Sequence, residues 1–136
     1  MNGTANGLYG GDLPNQINTP WIDFSEQSTI VGWSVYTAKV IKYKVIGNIV
    51  YVYFNISGTS NSTSTTFTLP ILPKTFVVGP YIYGLDSSNT QLALISQVTS
   101  PSITISMYRV TSVTAISLTW TASGTKQIQG QFFYEI

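Results

Sequence analysis

The chain of 136 residues contains no cysteine and no histidine. Those two absences remove disulfides, thiolate nucleophiles, imidazole bases and the commonest zinc ligands together. Charge is nearly as scarce: 8% of residues are charged, against about a quarter in an average soluble domain. The five lysines and one arginine are scattered, and the net charge is +1, so no basic stripe exists to neutralise a row of phosphates. Nucleic acid is therefore excluded as an expected partner. Long apolar runs are missing as well. The longest, Ile49 to Phe54, is far below the roughly 20 residues that a membrane-spanning helix needs, so no membrane insertion is expected. Met1 to Pro20 has neither a basic start nor an apolar stretch, and it does not read as a signal peptide.

Hydrophobic residues are abundant, at 43%, and mean hydropathy is +0.19, which excludes a disordered chain. The length suits one domain. With few charges available, Ser and Thr, a quarter of the chain, must cover much of the surface, or a partner must.

From Trp21 onward, β-branched and aromatic residues alternate with polar ones, and no window shows a sustained helical period. The clearest unit is Lys39 to Ser57, where two such runs flank Gly47-Asn48, a pair suited to a two-residue turn with positive φ at glycine. Pairing Ile46 with Ile49 puts Lys44 opposite Tyr51 and Lys42 opposite Tyr53, on one face with Val40 and Asn55. The other face carries Ile41, Tyr43, Val45, Val50, Val52, Phe54 and Ile56 and is assigned to the core. Further strands are expected over Ile30–Tyr36, Ser64–Leu69, Phe76–Tyr83, Gln91–Val98, Ile103–Tyr108, Val113–Thr121 and Gln127–Ile136, with a loop at Asp86 to Asn89. Within them Phe67, Leu69, Ile82, Ile128, Phe132 and Tyr134 should point inward, and Ile103 should share a face with Ile105 and Met107. The predicted fold is all-β, an antiparallel β-sandwich or jelly roll of about eight strands over residues 21–136, preceded by an irregular N-terminal arm of residues 1–20. In that arm Leu8, Tyr9, Leu13 and Ile17 are isolated apolar points among Gly, Asn and Pro. They are either part of a terminus without partners or an anchor on a neighbouring subunit.

Catalytic chemistry has little to work with. The acids are Asp12, Asp23, Glu26, Asp86 and Glu135, and glycoside hydrolysis needs two carboxylates facing each other at about 5–10 Å. Asp23 and Glu26 are the one pair close in sequence, and their setting, Phe24-Ser-Glu-Gln-Ser28, reads as a turn. No nucleophile elbow, phosphate-cradling loop or metal-ligand cluster is present, so no catalytic residue, metal or cofactor is expected. The Lys42, Lys44, Tyr51 and Tyr53 patch, and Tyr81 with Tyr83 on an outward face, have three readings. They can be stabilising cross-strand pairs, a subunit contact, or an aromatic platform for a sugar ring.

Several segments carry a resemblance. Tyr43-Lys44-Val45-Ile46-Gly47-Asn48-Ile49-Val50 is followed by Phe54-Asn55-Ile56-Ser57-Gly58-Thr59-Ser60-Asn61 and then by Phe67-Thr68-Leu69-Pro70. With Trp21 ahead of them and the closing Gly130-Gln131-Phe132-Phe133-Tyr134-Glu135-Ile136, they resemble a recurrent β-sandwich domain of tailed-phage virion proteins, the domain of tail fibres, receptor-binding proteins and head fibres or decoration proteins. The resemblance implies a non-enzymatic structural protein of the virion surface, made in the host cytoplasm and carried on the extracellular particle. It implies assembly, usually as a homotrimer, contact with other virion proteins, and a contribution to host attachment. A trimer would also hide apolar area that charges do not shield. The short segment ahead of the first strand favours a short fibre, head fibre or decoration type. The alternative is a carbohydrate-binding, receptor-recognition module of a tail fibre, with a host cell-surface glycan as its ligand.

Overall fold

A computed structural model of the protein describes residues 17–75, 79, 81–87, 89–95, 102–112, 115–117 and 119–136. Among the described residues there is no helix, and ten strands run in chain order. They are β1 (Ile22–Asp23), β2 (Ile30–Val31), β3 (Trp33–Ile46), β4 (Ile49–Ser60) and β5 (Thr66–Thr68), then β6 (Tyr81–Asp86), β7 (Asn89–Ile95), β8 (Thr104–Ser112), β9 (Ala115–Ser117) and β10 (Thr125–Glu135).

Every pairing is antiparallel, and the order across the structure is β1-β3-β4-β10-β6-β7-β8-β5-β2, with β9 beside β8. Strand β8 belongs to both layers, because Thr104–Ser106 pair with β5 while Met107–Val110 pair with β7. The chain crosses between layers a second time at Gly32, whose φ is +129°, between β2 and β3. The result is an antiparallel β-sandwich.

The hairpin has the register expected from its sequence. Ile46 pairs with Ile49, Lys44 with Tyr51, Lys42 with Tyr53 and Val40 with Asn55. Gly47 has φ +60°, a left-handed value that Cβ would oppose, whereas Asn48 keeps a negative φ. Ile41, Val50, Val52, Phe54 and Ile56 are fully enclosed, and Phe67, Leu69, Ile82, Ile105, Met107, Trp120, Ile128, Phe132 and Tyr134 complete the core with Trp33 and Val45. Phe54 of β4 meets Phe67 of β5 across the sandwich with ring centroids 5.3 Å apart. Each such side chain, once enclosed, contributes about 1.5–3 kcal/mol. Gly130 lies on the inner face between Phe54 and Ile82, where a Cβ would come within 2.5 Å of Ile82 Cγ2, so its lack of a side chain makes room for that isoleucine.

Four expectations are corrected. The strand foreseen over Ile30–Tyr36 is divided at Gly32: Ile30–Val31 pair with β5, and the remainder continues into the hairpin as one strand of 14 residues. Along that strand the register with β4 shifts between Trp33 and Val35 and between Tyr36 and Ala38. Gly58 pairs with Tyr36 at the second irregularity and has φ +150°, with Val35 O only 1.9 Å from where a Cβ would be. The Asp86–Asn89 loop is a tight turn, since Asp86 and Asn89 already pair and Ser87 adopts φ +50°. Ile103 is exposed because β8 begins one residue later, at Thr104. Trp120, foreseen in a strand over Val113–Thr121, is buried outside the strands, and β9 covers Ala115–Ser117. Leu8, Tyr9 and Leu13 lie outside the described residues, as do residues 76–78 and 96–98 of two of the foreseen strands. Ile17–Thr19 extend the edge of β3: Gly47 N donates to Ile17 O at 2.7 Å, and Thr19 N donates to Val45 O at 2.9 Å.

Candidate functional site

Pairing of β3, β4 and β10 sets the outward side chains in rows. Lys44, Tyr51 and Phe133 form one, Lys42, Tyr53 and Gln131 the next, and Val40, Asn55, Gln129 and Tyr83 of β6 a third. The Lys and Tyr residues singled out by alternation are therefore brought together. Tyr83 joins the same face, while the side chain of Tyr81 lies outside the described residues. Lys42 Nζ lies 4.9 Å from the centroid of the Tyr53 ring and 5.4 Å from that of Trp21, and Lys44 Nζ lies 5.9 Å from Trp21. Attraction of an ammonium to a ring face explains this stacking without any ligand. Amide groups tie the polar part of the face together: Gln129 Nε2 donates to Tyr53 Oη at 3.3 Å, and Gln127 Nε2 donates to Asn55 Oδ1 at 3.0 Å.

Trp21, which alternation does not single out, and Phe133 change the character of the surface. Phe133 is 64% exposed, and its ring lies 5.8 Å from that of Tyr51, itself exposed. Trp21 is 44% exposed. With Tyr51, Gln131, Phe133 and Gly79 it borders a cleft of about 440 Å³. Val52 and Phe132 also line the cleft, yet their side chains point into the core, so the sheet backbone forms the floor. The signal for Phe133 was present in the sequence, since Phe132 and Tyr134 point inward and the residue between them must point out.

Asp23, which pairs with Lys42 across β1 and β3, and Glu26 are both held by local partners. Asp23 Oδ1 accepts hydrogen bonds from Ser25 Oγ at 2.6 Å and Ser25 N at 2.9 Å, and these hold its carboxyl below the ordinary aspartate value. Glu26 Oε2 accepts from Lys39 Nζ at 3.1 Å. Both acids thus serve the turn between β1 and β2, as their setting suggested. No group of three metal-ligating side chains occurs among the described residues.

A second cluster, not foreseen, is buried at the other end of the sandwich. Lys126 opens β10 on the core side and is fully enclosed. Its Nζ donates to Gly32 O (3.1 Å), Ser62 O (3.0 Å), Ser64 O (3.4 Å) and Thr65 Oγ1 (3.0 Å). The ammonium also lies 5.1 Å from the Trp33 ring and 5.7 Å from the Trp120 ring. Trp33 Nε1 donates back to Lys126 O at 3.1 Å. Burial pushes the Lys126 amine down to about 8, although the charge of Asp86 opposes this. Asp86 is itself buried, paired with Arg109 Nη1, and accepts from Thr121 N and Oγ1 at 3.2 Å. The hub joins the β2–β3 crossing, the Ser62–Thr65 loop and the closing strand, and every oxygen and ring around it belongs to the fold.

Among the described residues, the cleft on the outer face is walled by exposed aromatic rings. No protein-family model, curated protein or solved structure matches the chain.

Proposed function

We propose that this chain is a non-enzymatic structural subunit of a phage virion surface, of short-fibre, head-fibre or decoration type, which assembles as an oligomer through the outer face of β3, β4 and β10. The observation that carries the reading is the clustering of Trp21, Tyr51 and Phe133 in one exposed patch on a chain with so few charges. Apolar patches of this kind mark contact surfaces, and aromatic residues with little charge characterise interface cores. The virion setting rests on the resemblance over Tyr43–Pro70, and a homotrimer is the stoichiometry that the resemblance implies. Light scattering on the full chain tests the reading: a stable oligomer is expected, and a monomer at micromolar concentration overturns it. Phe133→Ser should lower the oligomer fraction while leaving the fold intact.

A second reading has its own observation. A cleft walled by Trp21, Tyr51 and Phe133, with Gln131 at its border, offers the groups of a pyranose platform, where rings meet the apolar sugar face and amides meet hydroxyls. Under it the protein is a receptor-binding module for a host cell-surface glycan. Binding on a glycan array, lost in Tyr51→Ala, would favour this reading over the first.

A further inference from the structure

We propose that the cleft between Trp21, Tyr51 and Phe133 receives residues Leu8 to Leu13 of a second copy of this chain. The inference rests on the oligomer reading above and names the element that would make the contact.

Traced backwards from Asp23, the backbone runs antiparallel along the edge of β3: Asp23 opposite Lys42, Ile22 opposite Tyr43, Asn18 bridged to Ile46, and Ile17 O accepting from Gly47 N. At Ile17 it therefore heads past the Gly47-Asn48 turn and off the end of the sheet. The cleft lies behind it, level with Lys42 and Lys44, whose partners on β4 and β10 are Tyr53, Tyr51 and Phe133. Entry into the chain's own cleft requires a reversal, whereas entry into a neighbour's does not. Leu13 lies four residues before Ile17 and Leu8 nine, so an extended chain carries them about 13 to 30 Å beyond the edge of β3, within reach of an adjoining copy.

Leu8, Tyr9 and Leu13 are apolar, and between Tyr9 and Leu13 stands Asp12, the sole charged side chain among the first 16 residues. On the cleft side, Lys42 and Lys44 rest on the Trp21 ring, and neither has an ion-pair partner among the described residues. Seating leucine and tyrosine against Trp21, Tyr51 and Phe133 brings Asp12 to the only two lysines of that face. An arm passed from each copy to the next is a heterologous contact, and it closes into a ring when the rotation allows.

Two measurements test the proposal. Unlabelled and nitrogen-15-labelled chains are co-refolded to the native mass and treated with a carbodiimide, which joins a carboxylate to an amine as an amide with loss of water. A cross-linked peptide joining Asp12 to Lys44 or Lys42, in mixed-isotope form, is expected. Cross-links found only within one isotope overturn the proposal in favour of docking on the chain's own cleft. An oligomer without any such cross-link overturns it but leaves the assembly reading standing, and a monomer overturns both. In the second measurement Asp12→Lys and Lys44→Asp each weaken association about fivefold, as expected for one partly exposed ion pair, and the charge-swapped double variant restores it. Failure of the swap to restore association overturns the proposal.

Discussion

The protein places a lysine ammonium between two aromatic rings twice, at opposite ends of the same sandwich, with different consequences. Lys126 sits between Trp33 and Trp120, fully enclosed, and Lys42 sits between Trp21 and Tyr53 at the surface. Ring distances are similar, so the rings do not distinguish them. What differs is the fourfold set of oxygen acceptors around Lys126, which replaces lost water and has no counterpart at Lys42. Where solvent is excluded, the cation must be satisfied in full and becomes a joint of the fold. Where solvent is present, the same stack is worth little to stability and leaves the surface open to a partner.

The largest expected effect breaks the buried member. Lys126→Met removes the ammonium from Ser62 O, Ser64 O and the Thr65 hydroxyl, while Gly32 O keeps Asn61 N, and unfolding by urea should show a loss of about 3 kcal/mol or more. Next in size is a pH effect. Because the folded amine titrates near 8 and the free side chain at 10.5, the unfolded chain holds a proton that the folded chain releases between those values. Stability conferred by Lys126 should therefore rise with pH across that window and stay level below it. The rise is read as wild type minus Lys126→Met, so the opposing contribution of Tyr134, whose phenol burial pushes up, cancels. Trp33→Phe, which removes the Nε1 donor to Lys126 O while keeping a ring, should cost about 1–2 kcal/mol. At the exposed member the effect shrinks: Lys42→Ala should cost about 0.5–1 kcal/mol in the same assay. Phe133→Ser should lie within about 0.5 kcal/mol of wild type in folding. A large loss for Lys42→Ala, or a small one for Lys126→Met, would erase the distinction between the two ends.

Alternation and one turn made much of this fold legible. Gly47-Asn48 determines the register of the longest strands, and from that register the inward row of Ile41, Val50, Phe54 and Ile56 follows. The same alternation gathers Lys42, Lys44, Tyr51 and Tyr53 on one face. It is silent about Trp21, which arrives over that face from an edge segment, and about the meeting of Tyr51 with Phe133, which depends on β4 pairing with a strand some 80 positions later. Lys126 escaped for a related reason. Its place two residues before Ile128 gives it core parity, but its acceptors come from Gly32 and Ser62–Thr65, and no local pattern shows that they converge. The merging of two expected strands into β3 also lay beyond period-two reasoning, since the alternation is interrupted where the register with β4 shifts.

Those two shifts, with Gly58 folded tightly against Val35, have a consequence for how the molecule can meet its own kind. Among the described residues, β3 from Ser34 to Val40 pairs with β4 alone, and its outer edge carries exposed Val35, Tyr36 and Val40. A regular edge of that composition would template open-ended strand addition, the first step towards fibrils. By breaking the ladder twice within a few residues, the chain denies an incoming strand a continuous row of donors and acceptors. Edge-to-edge addition, where growth has no end, is thereby opposed at the stretch of β3 that the described neighbouring strands leave open.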